Sequence, residues 1–588
     1  MNAGIRMARA AVWARVATPF AVAALSAAAL VAPAAASQRS GTDPYLAPAG
    51  NRGYDVENYD LRIRYDDQDR AIGRGLVTVT ATATADLEDF SLDARRTLRI
   101  RSVRVDGNRV RFRHRDDKLI VEASAEQGEI FRTTVRYSGT PQPIRDSASG
   151  DFSGWLPTSF GVVTFNEPIG VSSWMPANDV FYDKSTWQVE LITPKGLTGI
   201  STGELLDLSS KGGTTRSRWR MPEPIQPYTQ LVAVDRFRVS DRPINGIPAV
   251  VAVAARTGTS VKQMRQRTAS ALRWLSARFG DFPFSTTGAV VVSGADGAME
   301  TAGRPVYSDA GYYHNSETVL HEMAHQWFGN LLTAHNASDM WLHEGFATYL
   351  ELVEQAERKG WNLDDLVHAS YVQEGWGFGD HRQFHQVTLA DPTPAFVLNT
   401  TTYFRGQAAL HALRAEVGED AFWDAMAALV TGPLGETTST EIVIRELEAS
   451  TGRDLSSWAQ QWVYSTGYQE LPVAPTPQAV VSEIGVPLIE QASQWAQTPG
   501  KSLRRKLRSA ATGHAPMDHL EIGAIRSRKG LTYVNVGVRT SPLYPQDYPT
   551  CLTLDRNSRE LRRAWYDPQI SFSSDFAANT FTTSACPD

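Results

Sequence analysis

The chain has 588 residues, 42% of them hydrophobic and 21% charged, and a formal net charge of −6. This is ordinary globular composition on a chain too long for one compact core, so two or three domains are expected. The mildly acidic balance argues against a nucleic-acid partner, and cysteines only at 551 and 586 exclude a cysteine nucleophile or a thiolate metal site from the main body.

The first 36 residues have the layout of a secretory signal peptide. Arg6, Arg9 and Arg15 precede an apolar Ala/Val/Leu run, and Ala34-Ala35-Ala36 before Ser37 forms an A-x-A cleavage site. The run is short for a membrane span and is interrupted by Pro19 and Pro33. Cleavage after Ala36 would release an exported protein of about 552 residues with a formal charge of −9, expected to act as a monomer and without stable membrane insertion. In an oxidising compartment Cys551 and Cys586 could close one disulfide in the tail, with two free thiols as the alternative.

From about Tyr54 to Val239 apolar and polar residues alternate in short steps, as in LRIRY (61–65) and LVTVTATAT (76–84), which predicts mostly antiparallel β-structure. Asp106-Gly107, set between two alternating runs, predicts a hairpin turn. The texture changes after about Ile247. Residues 261–280 have helical period and stop at Gly280, GAVVVSG (288–294) reads as a strand, and from Ser316 to about Gly467 nearly every segment reads as helix. A Pro-rich joint, PVAPTP (472–477), precedes a different tail, in which KSLRRKLRS (501–509) reads as a solvated helix face. Residues 531–538 and 550–555 of the tail read as strands.

The chemistry begins at VLHEMAHQWFGN (319–330). Val319, Leu320, Met323, Ala324, Trp327 and Phe328 recur at steps of three and four, predicting a helix, and His321, Glu322 and His325 then form one narrow polar stripe. Buried imidazole and carboxylate groups cost several kcal/mol unless satisfied, and a metal ion would satisfy them. The stretch DMWLHEGFATYLE (339–351) starts a second helix and places Glu344 after 18 intervening residues from His325. Two imidazoles one turn apart and one carboxylate from a neighbouring helix make a three-ligand zinc site with an open fourth position. Zinc lowers the pKa of a bound water to about 7, and Glu322 is placed to take that water's proton. His335 and His343 are expected to be surface or supporting residues.

HEMAHQWFGN followed by WLHEGFATYLE resembles the gluzincin zinc signature of the M1 family of metallopeptidases, the aminopeptidase N and leukotriene A4 hydrolase relatives. The resemblance implies one Zn2+ per chain, bound by His321, His325 and Glu344, with Glu322 as general base. GAMET (297–301) resembles the family's exopeptidase motif GAMEN, on an edge strand lining the cleft, so Gly297, Ala298, Met299 and Glu300 are implied to bind substrate. YFRG (403–406) is similar to the family's Tyr-x-Lys-Gly segment, which makes Tyr403 the phenol that stabilises the tetrahedral intermediate. A segment from 164 to 194 resembles part of the family's N-terminal domain and carries over Glu167 as a second carboxylate facing the cleft. Thr301 stands where the family usually has Asn, and Ser172 where it has Arg.

The implied architecture is α+β and multidomain: an N-terminal antiparallel β saddle (45–245), a thermolysin-like, mainly helical zinc catalytic domain (246–470), and a short C-terminal region (478–588) with no legible role. The implied function is a secreted zinc aminopeptidase acting on peptides with a free N-terminus. Glu300 and Glu167 would anchor the α-ammonium so that only the first peptide bond reaches the metal. A metalloendopeptidase or an epoxide hydrolase on the same zinc site is the alternative, and a non-catalytic binding module would be expected to lack a ligand or the base.

Overall fold

The computed structural model describes residues 43–145, 152–310, 313–364, 366–367, 370–371, 386–394, 397–432, 437–467 and 469–472, together with the backbone of four strands between 520 and 566. The leader, most of the Pro-rich joint, the basic stretch 501–509 and Cys586 lie outside the described residues.

The N-terminal half is built on an eight-stranded sheet. Its strands are β1 (Tyr54–Asp66), β2 (Ala71–Ala83), β3 (Leu98–Val105), β4 (Asn108–Arg109), β5 (Ile130–Gly139), β6 (Ser185–Pro194), β7 (Glu204–Lys211) and β8 (Thr214–Ile225), in the spatial order β7-β8-β6-β1-β2-β5-β3-β4. Period-two alternation decides which side of each strand is buried. In β1, Tyr59, Leu61 and Ile63 point into the core while Asp60, Arg62 and Arg64 face outward. The expected turn at Asp106-Gly107 joins β3 to β4 with both residues at positive φ, 48° and 81°, the backbone that suits a tight hairpin. One feature departs from the antiparallel expectation: β1 pairs with β6 in parallel, with Leu61 opposite Val189. That pairing is between strands far apart in sequence, which local alternation does not encode.

A second, five-stranded sheet carries Thr198–Ser201, Val232–Asp235, Val162–Phe165, Phe152–Pro157 and Ile144–Arg145. The two sheets share a core rich in aromatic side chains, in which Tyr59 stacks on Trp187 at 4.2 Å between ring centroids.

Beyond residue 237 the chain forms a mixed five-stranded sheet of β9 (Phe237–Ser240), β10 (Ala249–Ala254), β11 (Thr287–Val292), β12 (Ala298–Met299) and β13 (Val306–Ser308), in the order β9-β10-β11-β13-β12. Helix α1 (Val261–Phe279) starts at a capping box formed by Ser260 and Gln263, ends at Gly280 and packs on this sheet. The short strand β12 is antiparallel and lies at the sheet edge, the position expected for GAMET. Helices follow: α2 (Ser316–Ala324), capped by Asn315; α3 (Trp341–Lys359), ended by Gly360 in the left-handed region; and α4 (Gly406–Val417), preceded by a π-helical turn at Thr401–Arg405. The protein is therefore a β-rich N-terminal domain followed by a helical region. Among the described residues no helix is long and apolar enough to cross a membrane. In the tail, Leu520–Arg528, Leu531–Val538, Thr550–Asp555 and Leu561–Tyr566 form an antiparallel sheet that includes both strands expected there.

Helix α2 is shorter than its apolar spacing predicts. It stops at His325, and Trp327 and Phe328 reach the core from the turn that follows. Gly329 at φ +134° reverses the chain there, and the Asn330 amide donates to the His325 carbonyl at 2.8 Å. Phe328 nevertheless packs edge-on against Phe279 at 5.1 Å, so the apolar pattern reports burial correctly and helix length incorrectly.

Two buried arginines act as staples. Arg405 donates to the carbonyls of Gln461, Trp462, Ser465 and Gly467, tying α4 to the end of the helical region. Arg304 joins the two halves: it donates to the carbonyls of Ser201 and Gly203 on the N-terminal side and of Val250 on β10, with its guanidinium 5.0 Å from the Trp219 ring. Arg304→Met would keep the packing and remove the guanidinium donor from those three carbonyls. We expect a loss of roughly 3 kcal/mol in unfolding free energy, read as a lower urea midpoint; an unchanged midpoint would show that the staple contributes nothing.

Candidate active site

Helices α2 and α3 meet so that His321, His325 and Glu344 each offer one ligand atom within 4.8 Å of one another. Nε2 of His321 and Nε2 of His325 both lie 3.4 Å from Oε2 of Glu344. All three side chains are buried. The tautomer of His325 follows from its other nitrogen: Nδ1 donates to the Phe328 carbonyl at 3.1 Å, which leaves Nε2 as a free lone pair turned into the cluster. Here the truncated end of α2 becomes useful, because only a turn brings the carbonyl of residue 328 back to a side chain three residues earlier.

Electrostatics make the cluster a cation site. Burial opposes a charged His321, but Glu344, Glu351 and Glu322 gather round it and hold its pKa well above the ordinary value. Burial likewise opposes ionisation of Glu344, but His325 and His321 pull it well below the usual carboxylate range. Glu322, buried beside both imidazoles, is pushed up to about 8 by burial, partly offset by His321 and His325. Two nitrogen donors and one carboxylate oxygen, converging on one point, fit a tetrahedral zinc ion with one position to spare.

A second group of carboxylates adjoins the first through Glu344. Glu167, Glu300 and Glu344 also bring one oxygen each within 4.8 Å of one another. Glu300 is buried and accepts a hydrogen bond from the Tyr228 hydroxyl at 2.9 Å. Oε1 of Glu167 is sealed from solvent without a hydrogen-bond partner. Burial raises the pKa of Glu167 well above the ordinary value, and Glu300, Glu344 and Glu322 push it further the same way. Such a group is stable as an ionised set only around a positive charge.

The elements that carry these carboxylates are tied to α2 by amide side chains. Asn330 Nδ2 donates to the Glu300 carbonyl at 2.8 Å, and Gln326 links the Glu322 carbonyl (3.0 Å) to the amide of Gly303 (2.8 Å). Asn166 places the Glu167 segment: its amide donates to Met299 Sδ at 3.2 Å, and its side chain bonds the carbonyls of Tyr228 and Gln230. Gly297 sits at φ +116° before β12, and its carbonyl accepts from the Ser308 amide at 2.8 Å. Ala298 pairs with Tyr307 and Met299 with Val306 across the edge. The hydroxyl of Thr301 donates to the Arg304 carbonyl at 2.5 Å, so it is engaged within its own turn. Ser172 is buried, and its amide donates to Asp179.

Tyr403, partly buried on the π-helical turn, lies parallel to the His321 ring at 6.4 Å between centroids and 13° between planes. It is held there by a close crossing of α3 with the start of α4. A Cβ added to Gly406 would fall 2.7 Å from the Gly345 Cα, and one added to Gly345 2.8 Å from the Gly406 Cα.

The structure thus gathers every residue expected at the site, and it adds three that the motifs did not single out. Glu351 lies 3.4 Å from His321 Nδ1, an ion-pair distance looser than a well-formed hydrogen bond. Its signal was present, since it follows Glu344 by two helical turns. Tyr228 and Asn166 had no such signal, because they meet GAMET only through folding. Of the two places expected for His343, surface or supporting, the structure shows the second: it is fully buried, its Nε2 accepts from the Ala334 amide at 2.9 Å, and burial with the nearby His325 drives its pKa down to about 3, so it is a neutral packing residue. His335, by contrast, stacks on Tyr182 at 4.8 Å.

Comparison with known proteins agrees with this geometry. Residues 268–462 match the model of the peptidase family M1 domain. Aminopeptidase N of Streptomyces lividans is 32% identical over 192 residues, which is 30% of this chain and 22% of that protein. Aminopeptidase N of Haemonchus contortus is 22% identical over 395 residues, 61% of this chain and 40% of that protein. The chain thus spans less than half the length of these relatives. Among solved structures, a mutant of an M1 zinc metallopeptidase from Deinococcus radiodurans superposes with a TM-score of 0.68 at 26% identity, covering 74% of this chain and 100% of that one. The same metallopeptidase has been crystallised with a Tyr-Ser-Ala substrate, and that structure superposes at 0.67. Residues 268–462 thus match a peptidase family M1 domain, and the chain shares its two-domain architecture with solved M1 zinc metallopeptidases.

Proposed function

We propose that this protein is an exported zinc aminopeptidase that removes N-terminal residues from peptides. The observation that carries this reading is the second carboxylate group, Glu167 and Glu300 beside Glu344, adjoining the His321, His325 and Glu344 triad. A hydrolase that cut internal bonds would gain nothing from burying two more acids there. A free α-ammonium would neutralise them and be held one residue from the reacting carbonyl. Export is supported by the leader-like composition of the first 36 residues.

His321, His325 and Glu344 would hold the zinc ion, with His325 oriented by the Phe328 carbonyl and His321 by Glu351. The ion supplies Lewis-acid chemistry, acidifying water and polarising a carbonyl. Glu300 and Glu167 bind the substrate's ammonium, and the Tyr228 hydroxyl fixes one oxygen of Glu300. β12 is an edge strand of the mixed sheet, so its open backbone edge can pair with an extended peptide. Glu322 accepts the proton of the attacking water and returns it to the leaving amine. Tyr403 donates to the carbonyl oxygen as negative charge develops on it, which is worth about 3 kcal/mol of barrier.

Three outcomes are expected. The protein should release 4-nitroaniline from amino-acid 4-nitroanilides with a free amine, and a chelator should stop it; no chelator-sensitive release from any such substrate would be strong evidence against a zinc aminopeptidase. Glu300→Ala should lower kcat/KM for free-amine peptides by roughly 10- to 100-fold, the worth of one charged hydrogen bond, and erase their advantage over N-acetylated ones; an intact preference would overturn the ammonium assignment. Gly406→Ala should force α4 away from α3 and displace Tyr403, lowering kcat by up to about 100-fold per ångström while zinc content stays at one per chain. An unchanged kcat would detach Tyr403 from the chemistry.

A further inference from the structure

The outward face of the eight-stranded sheet divides into two electrostatic halves. On one side arginines are neutralised: Arg62 and Arg216 both pair with Glu190, Arg218 with Asp207 and Arg220 with Glu204. On the other side lie the adjacent strands β2, β5 and β3, which contain Arg74, Arg132, Arg136, Arg99, Arg101 and Arg104 and neither Asp nor Glu. All six side chains are exposed. Arg136 stands opposite Ser102 on β3 and Leu76 on β2, with Arg101, Arg104 and Arg74 one or two positions from those two residues, while Arg132 lies four residues away along β5. Where this field meets β1, Arg64 stands opposite Arg74 across the ladder.

Like charges in such positions repel and reduce sheet stability. Two of the guanidinium groups are nevertheless held in place by neutral acceptors: Arg101 donates through Nε and Nη2 to the Ser138 hydroxyl, and Arg104 donates through Nη1 to the Gly107 carbonyl at 2.6 Å. Their charge is ordered without being cancelled, on a chain whose net charge is −6. Neighbouring positions are spaced by about 5 Å across strands and about 7 Å along them. Guanidinium groups in that arrangement match a row of phosphates, which they bind through paired hydrogen bonds.

We propose that the face formed by β2, β5 and β3 is a docking surface for a linear phosphate polymer, separate from the peptidase site. It would hold the enzyme on an anionic matrix while leaving its chemistry unchanged.

The test uses the full chain with long-chain inorganic polyphosphate as probe, binding being followed by fluorescence anisotropy from 25 to 300 mM salt. We expect saturable binding whose log K falls linearly with log salt, with a slope of about −2 to −4. The triple variant Arg101→Glu, Arg104→Glu, Arg136→Glu should bind at least about tenfold more weakly with a shallower slope, while its 4-nitroanilide hydrolysis stays unchanged and its thermal midpoint is no lower than the parent's. A control reversing three exposed arginines elsewhere, Arg242→Glu, Arg445→Glu and Arg453→Glu, should bind like the parent. No binding at 25 mM salt, or equal loss in the control, would overturn the proposal. Equally tight, equally Arg101-dependent binding of heparin would also overturn it, by assigning the face to sulfated glycans. Because hydrolysis is read independently, loss of this proposal leaves the aminopeptidase reading intact, and the converse holds.

Discussion

The constraint on which this structure turns is the burial of acid. Glu167, Glu300, Glu322, Glu344 and Glu351 converge beneath the surface around two imidazoles. In a low-dielectric interior that concentration of like charge is tolerable only if protons or cations balance it. On the function proposed above, a divalent ion at the imidazole end and a substrate ammonium at the other would divide that work between them, with Glu344 common to both groups.

Holding such a cluster together demands rigidity from its surroundings, and the two domains supply it jointly. Asn166 and Tyr228 come from the β-rich half, Glu300 from the edge of the mixed sheet, and the remaining groups from α2, α3 and the turn before α4. Gln326 and Asn330 lace the end of α2 to the GAMET turn, and Arg304 fastens the sheets beneath. Each is a buried polar group that bonds to backbone carbonyls or amides, so each fixes a distance as well as a contact. The Gly345 and Gly406 crossing does the same for Tyr403 by permitting a backbone approach that no side chain would allow.

Much of this could be read in advance because periodicity and short motifs are local. The alternating strands, the helix bounds at Gly280 and Gly360, the hairpin at Asp106-Gly107 and the edge position of GAMET all appear where expected. The departures share a cause. The parallel pairing of β1 with β6 and the early stop of α2 at His325 each depend on what packs against the segment, which neighbouring residues do not reveal.

By itself, the sequence determined the chemistry available to this protein: which side chains could bind a metal, serve as base or anchor an amine, and on which helices two of the ligands and the third must lie. Spacing within a helix settles relative direction through geometry alone. Only the tertiary structure decided that two carboxylate groups share Glu344 and that Tyr228 steadies Glu300. Those facts arise between segments tens of residues apart, where contact is set by packing of the whole core and no local pattern can record it.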